Sequence, residues 1–389
     1  MNDADDFALS LVRGDALLRA QRAIGLVPPQ GLGVGRRALA LALLSWAPIA
    51  LWALFQGRAL PGAIDEPLLN HFSIHVRCLI AIPLFVIAEA VAHGITTRLV
   101  PHFVRSGLVV EGDRARFREI LRGVARLRDT TLPWVLIAGL VLAWALLSPS
   151  AGATHELSWA GEPASESFGF GAFWFSWVAR PLFTVLLLAW LWRLILVIVL
   201  CLRLSRLDLA LVPTHPDGAG GLGFLESLPF AFSPVVFAIS AVLASRWAHE
   251  VLYHDAHVAS LRMPMIAFGV VALVLFLAPL VAWRRPLVAA KRRAELEYGA
   301  LVGEHGRLVR RRWILREPLE DDALLGAQEI GPVADTIALY EAVRKMRTIP
   351  IGRRSLLAIL LPAALPMLAV IAIEIPVKDL LLKLLTTLA

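Results

Sequence analysis

The sequence predicts an all-α protein, a polytopic helical integral membrane bundle of about seven transmembrane helices, with the N-terminus in the cytoplasm and the C-terminus outside. Three observations predict it. The chain is 58% hydrophobic and only 18% charged, whereas an average soluble domain carries about a quarter charged residues. The apolar residues gather into long stretches on the scale of the ~20 residues that carry a helix across a hydrocarbon core. The basic residues concentrate in alternate connections between those stretches.

The first 37 residues read as a cytoplasmic N-terminal segment. Residues 1–36 have no apolar core of signal-peptide type, so the first span is expected to act as an uncleaved anchor. Spans are expected at Ala38–Phe55, Ile74–Ile95, Leu132–Leu147, Ala172–Leu202, Ser227–Ser245, Met263–Trp283 and Ser355–Ile373. Leu132–Leu147 is short and borrows Thr130 and Thr131; Ala172–Leu202 is long and must tilt or project. Residues 38–283 thus form a six-span region, 284–354 a cytoplasmic helical loop, and 355–389 the last span with a C-terminal extension. In that extension Val377–Ala389 is apolar but holds Lys378, Asp379 and Lys383. It is too short to cross and reads as an interfacial helix, with a re-entrant course left open.

Orientation follows from charge. The first 37 residues hold five basic residues, connection 96–131 eight, 203–226 two and 284–354 fifteen. The opposite side has only Arg58, Arg246, Arg262, Lys378 and Lys383. The positive-inside rule then places the N-terminus inside. Trp174, Trp177 and Trp247 fall at expected outer edges and Trp134, Trp190, Trp192 and Trp283 near inner ones, where indole is favoured. These basic residues flank apolar helices instead of forming a basic face on a soluble fold, which argues against a nucleic-acid partner. Cys78 and Cys201 are expected near opposite membrane faces, too far apart to pair. No internal repeat supports an inverted-repeat transporter fold.

Two cytoplasmic pieces have helical patterning. Asp113 is expected to cap a helix over 113–127, with Phe117, Ile120, Leu121, Val124 and Leu127 on one stripe and Arg114, Arg118, Arg122 and Arg126 on the rest. Such a helix can rest on anionic inner-leaflet lipids, or serve lipid sensing or partner docking. Loop 284–354 begins as a basic helix from Pro286 to about Leu315, turns acidic at Glu317–Asp322, and continues as a second helix over Val333–Arg347. It lacks a Walker A pattern and is too short for a typical nucleotide-hydrolysing domain.

The most distinctive run is Leu211-Val-Pro-Thr-His-Pro-Asp-Gly-Ala-Gly-Gly-Leu-Gly-Phe-Leu-Glu226. Gly218, Gly220 and Gly223 formally satisfy G-x-G-x-x-G, but no βαβ unit surrounds them, which argues against dinucleotide binding. Two readings remain. In one, Gly218, Gly220, Gly221 and Gly223 make a tight turn capped by Asp217 or Thr214. In the other, the glycine amides form a nest that lines a vestibule or holds an anion, with His215 and Asp217 as polar ligands.

This run, the later Ala-Leu-Tyr-Glu-Ala-Val-Arg-Lys-Met-Arg (Ala338–Arg347) and the ending Ile-Pro-Val-Lys-Asp-Leu-Leu-Leu-Lys-Leu-Leu together resemble a group of bacterial multi-pass inner-membrane proteins with no assigned activity. The resemblance spans roughly the C-terminal half. It implies a bacterial inner-membrane address and no particular function.

Charges inside spans are the remaining candidates. Arg77, Glu89 and His93 lie in the second span, Arg180 and Arg193 in the fourth. Each costs about 2.5–3.5 kcal/mol at the centre of a membrane helix, so each should face protein or water. Glu89 and His93, spaced i, i+4, share a helix face and can form a partly hydrated pair; Arg193 is the expected interhelical partner of Glu89. Arg180, followed by Pro181, is the deepest charge with no evident partner, and Arg77 is expected to snorkel. On the outer side, His249, His254 and His257 with two carboxylates form a weak metal or pH-sensing candidate, set against an ordinary polar loop. A zincin would need His at 253, where Tyr253 stands.

The leading functional expectation is a channel or transporter-like pore for a small solute, anionic ones included. Arg180, Arg193, Glu89 and His93 would line its path, within one bundle or a homo-oligomer. The alternative is a membrane sensor or accessory scaffold signalling through loop 284–354. An intramembrane lipid-modifying enzyme ranks last, because the spans show no paired-aspartate, Ser-Lys or di-metal pattern. No cofactor is expected, and the expected partners are the bilayer and its anionic inner-leaflet lipids.

Overall fold

The computed structural model describes residues 7, 9–28, 31–62, 66–147, 159–160, 169–254, 256–317 and 331–374, which form helices and no strand. The helices are α1 (Ala16–Ala23), α2 (Val34–Phe55), α3 (Phe72–Arg105), α4 (Arg114–Asp129), α5 (Leu132–Leu147), α6 (Phe170–Leu204), α7 (Ser233–Tyr253), α8 (Val258–Val281), α9 (Arg284–Val309), α10 (Gly331–Lys345) and α11 (Arg353–Glu374). Seven helical stretches, containing α2, α3, α5, α6, α7, α8 and α11, are long and apolar enough to cross a membrane. These match the seven expected spans. The expected interfacial helix Val377–Ala389 and most of the acidic stretch Glu317–Asp322 lie outside the described residues.

The spans differ from expectation mainly in length. Helices α3 and α6 run for 34 and 35 residues. At 1.5 Å per residue that is about 50 Å, well beyond a ~30 Å hydrocarbon core. In each, one π-helical segment is inserted, at Val76–Ala81 and at Phe175–Ala179. Both precede a proline, Pro83 and Pro181. A proline inside a helix offers no N–H and its ring crowds the carbonyl four residues back, and a widened turn accommodates both defects. The two widened segments adjoin: the Arg77 guanidinium lies over Phe175 at 5.4 Å and over Phe183 at 5.6 Å. Arg77 is therefore held on aromatic faces inside the bundle, where snorkelling was expected. The fifth span, Gly223–Tyr253, contains the expected Ser227–Ser245, but its first ten residues, Gly223–Phe232, are 3-10 helix and the α-helix opens at Ser233, just before Pro234.

The basic connections gather at one end of the bundle and close over its core. The N-terminal segment buries Phe7, Leu9, Leu11, Val12 and Leu18 there. Phe7 packs on Phe117 of α4 with ring centroids 5.7 Å apart, and Phe103 of α3 bridges Phe117, Phe224 and Trp283. The apolar stripe of α4 (Phe117, Leu121, Val124) is thus buried against protein, so it is the arginine face of the helix that stays available for a lipid surface. Asp113 makes no side-chain cap to α4. Trp190 and Trp283, expected in the interfacial belt, are core residues.

Helices α9 and α10 pack on each other. The Lys291 ammonium donates to the carbonyls of Arg344 at 2.7 Å and Met346 at 2.8 Å. It satisfies acceptors that the end of α10 would leave open. Val343 and Met346 are buried on the inner face of α10 and its C-terminal continuation. At the opposite end of the bundle, Trp52 and Trp159 meet edge to face at 5.9 Å, and Gly171 lets α6 approach Trp52 so closely that a Cβ there would sit 2.5 Å from the indole.

Candidate functional sites

Four charged side chains meet in the core near the arginine-rich end. Glu89 of α3 accepts from Arg193 of α6 through Oε1 at 2.8 Å and from Arg37 of α2 through Oε2 at 2.5 Å. Arg193 also donates to Asp15 Oδ2 at 2.6 Å. Asp15 caps α1, its Oδ1 accepting from the Leu18 N–H at 2.7 Å. Arg37 completes the group through Gln21 Oε1 at 2.6 Å and the Leu32 carbonyl at 3.3 Å. The Arg193 guanidinium lies 4.9 Å from the Trp190 ring centre. The side chains of Arg37 and Glu89 are fully buried and those of Asp15 and Arg193 are exposed by no more than 2%. Two cations and two anions balance. Arg37 Nη2 and Arg193 Nε and Nη1 are nevertheless buried with no hydrogen-bond partner.

The expected Glu89–Arg193 pair is therefore present, but its setting differs from the expected one. His93 does not pair with Glu89; its Nδ1 contacts Ser10 Oγ at 2.9 Å. Ser10 also receives a hydrogen bond from Arg128 on its carbonyl, so the N-terminal segment is fastened between α3 and α4. Arg180 lies over the Trp144 ring at 5.4 Å, a cation–π contact that joins α6 to α5. The four pore candidates thus sit in three separate settings. Asp15, Gln21 and Arg37 escaped the sequence reading because they precede or open the first span. The Asp15 cap before Ala16–Ala23 was the available signal.

The glycine run folds around its own carboxylate. Asp217 Oδ1 accepts from the Ala219 and Gly221 amides at 2.8 and 3.2 Å, and Oδ2 from Gly223 at 2.7 Å. Gly218, Gly220 and Gly221 have φ of +61°, +66° and +95°, the left-handed region that favours glycine. A Cβ on Gly223 would stand 2.7 Å from Asp217 Cβ. The amides that could have held a free anion are occupied by Asp217, which favours the capped turn over the anion nest. His215 Nδ1 stands 3.0 Å from Asp217 Oδ1. Burial opposes ionisation of Asp217, but the amides of Ala219, Gly223 and Gly221 and the His215 imidazole outweigh it and hold the carboxyl below its ordinary value. Beside the turn is a cavity of about 230 Å³ whose lining includes His102, Ser106, Leu108, His215 and Phe224.

Arg347, just past α10, latches this turn to the rest. Its N–H donates to the Gly218 carbonyl at 2.8 Å and its Nη2 to the Asp217 carbonyl at 2.8 Å. Its Nη1 reaches Glu226 Oε1 at 2.5 Å and the Ile351 carbonyl at 3.1 Å. The resemblance motifs at 215–225 and 338–347 are thus the two halves of one contact.

At the far end, the three candidate histidines divide. His249 and His254, at the end of α7, come together with Glu66 of the α2–α3 connection, one ligating atom from each lying within 4.8 Å of the others. His257 instead stands 3.6 Å from Glu374 of α11. Glu66 was missed because it lies far from the histidines in sequence, with no local spacing to flag it.

The fold defines the class: a multi-pass integral membrane protein. No protein-family model, curated protein or solved structure matches the chain.

Replacing Glu89 with Gln leaves two buried guanidiniums against one carboxylate. Loss of about 3–5 kcal/mol is expected in unfolding of the detergent-solubilised protein, the scale for breaking a buried pair; a loss below about 1 kcal/mol would indicate a hydrated cluster. Because the Asp217 carboxyl is held below the ordinary 3.8, its contribution is complete above that value and is lost as pH falls through the depressed one. Protection of the Ala219, Gly221 and Gly223 amides, measured against the intrinsic exchange rate at each pH, should therefore hold at neutral pH and fall only in acid, and Asp217→Ala should remove it at neutral pH.

Proposed function

We propose that this protein is a membrane-embedded scaffold of the bacterial inner membrane whose output surface is the α9–α10 pair on the cytoplasmic side. One observation carries the reading: of the four charges that would mark an ion path, Glu89 and Arg193 are closed in a buried cluster, Arg180 lies on Trp144 and His93 on Ser10, so they line no common route. Groups that conduct ions line a water-filled route and exchange partners as the ion passes. Arg37, Glu89, Arg193 and Asp15 are closed on one another, a geometry suited to holding four segments in register. Basic connections supply the orientation under the positive-inside rule, with the N-terminus and α9–α10 inside.

The surface of α9–α10 supports an output role. Leu296 on α9 is 77% exposed, Ile337 and Leu339 on α10 are open, and Trp313, 68% exposed, and Ile314 stand in the π-helical segment Arg310–Ile314 that continues α9. Apolar side chains on an otherwise basic soluble hairpin are the kind of surface a partner helix or membrane face covers. Lys291 of α9 closes the hairpin on the end of α10, and Arg347 joins it to the bundle through the Asp217 turn.

The scaffold reading expects purified protein in proteoliposomes to pass neither small anions nor cations above empty vesicles, with Arg180→Ala unchanged. Conductance that alters in Arg180→Ala would restore the pore reading. A photo-crosslinker at Leu296 should give a discrete adduct in cells that Ile337→Glu abolishes. Both native cysteines are buried, so an introduced one can report orientation. Cysteine at Leu296 should be shielded from a membrane-impermeant maleimide in intact cells and cysteine at His257 should react; the reverse pattern would invert the topology.

A further inference from the structure

The far-end cluster has the chemistry of a transition-metal site, and we propose that Glu66, His249 and His254 bind a borderline divalent ion, with Zn²⁺ the best match. Two imidazoles and a carboxylate suit zinc, copper or nickel; Mg²⁺ and Ca²⁺ favour all-oxygen sets. The inference is independent of the scaffold reading.

The decisive feature is the state of the His249 ring. Its Nδ1 lies 3.0 Å from the Asn70 carbonyl. A carbonyl only accepts, so Nδ1 carries the hydrogen, and in the neutral ring Nε2 is left as a lone pair. That Nε2 is buried and has no hydrogen-bond partner. A ring nitrogen held by a backbone carbonyl while the other is left bare is how ligating histidines are oriented. Buried, such a lone pair is unfavourable unless something electrophilic meets it.

The neighbours converge on that ring. His254 meets it edge to face with centroids 5.3 Å apart, and His71 stacks on its other side at 5.2 Å. Glu66 lies between the histidines, with Oε1 3.8 Å from His254 Nε2 and Oε2 3.9 Å from His71 Nε2. His71 is thus placed to position the carboxylate while the other three donors ligate. Tetrahedral zinc with ~2.0–2.2 Å bonds needs donors within about 3.5 Å of one another. The present 4.8 Å limit requires a small inward rotation. His254, exposed at the C-cap of α7, has the freedom to make it. Three protein donors leave one tetrahedral position open, so the ion can exchange with the outer medium. Bound metal would join the α2–α3 connection to the end of α7.

The test uses full-length protein in detergent, stripped with chelator and titrated with Co²⁺ and then Zn²⁺. One Co²⁺ per chain is expected, with the intense visible absorption of a tetrahedral site, displaced by Zn²⁺, and a thermal midpoint that rises with free Zn²⁺. Glu66→Gln and His249→Ala should each weaken binding by more than about tenfold, while His257→Ala binds as wild type. If His249→Ala fails to fold, the exposed His254→Ala carries the same test. The proposal is overturned if the stripped protein takes up no ion, if the ligand variants bind normally, or if His257→Ala loses binding equally.

Discussion

Two guanidiniums and two carboxylates buried together constrain everything else in this molecule. Arg37, Glu89 and Arg193 come from three spans and Asp15 from the N-terminal cap. Desolvating four charges is unfavourable, and their attraction offsets it only in one arrangement. A slip of any helix by one residue would turn a charge toward apolar neighbours with no partner. The cluster therefore selects a register more than it adds stability. The residual mismatch agrees with that role: Arg37 Nη2 and Arg193 Nε and Nη1 are buried without acceptors, so the arrangement is specific without being fully satisfied. It also explains why the N-terminal segment lies inside the structure. Without Asp15, Arg193 would keep only Glu89, which it already shares with Arg37.

Around that cluster, the helices obey local rules that proline imposes. The π segments within the spans fall just ahead of Pro83 and Pro181, and the 3-10 stretch of ten residues surrounds Pro229. Each of these three departures from α geometry lies at a residue that cannot donate and crowds the turn before it. The widened turns place Arg77 on Phe175 and Phe183. Aromatic faces there do for an in-span cation what carboxylates do for Arg193.

The spans were legible because each is a long apolar run whose existence depends on composition alone. Their ends were less so: α3 and α6 continue past the apolar core through Phe72 and Arg105, and through Phe170 and Leu204, where residues are chosen by packing on neighbours. Glu89 with Arg193 was legible because a charge in hydrocarbon demands a partner and few were available. Asp15 and Arg37 were not, since a charge outside a hydrophobic run makes no such demand. The glycine run was open to two readings, a capped turn or an anion nest, and the Asp217 contacts favour the first; its latch to Arg347 joins residues 130 apart, and no periodicity reports such a contact. Glu66 was hidden for the same reason, lying in one connection while His249 lies on another helix.

The distinction between a path and a clamp rests on counting partners. A charge on a conduction route must be able to release whatever it holds, so its alternatives are water and the moving ion. Glu89 offers one oxygen to each arginine, both contacts are at hydrogen-bond distance, and its side chain has no exposed surface. Releasing either contact would leave a buried guanidinium short of its carboxylate, at a penalty of several kcal/mol. The far-end histidines present the opposite case. His249 keeps a bare buried nitrogen, and His254 stands exposed beside it. Ligand-accessible polar groups therefore lie at the edge of the bundle, and the paired charges lie in its core.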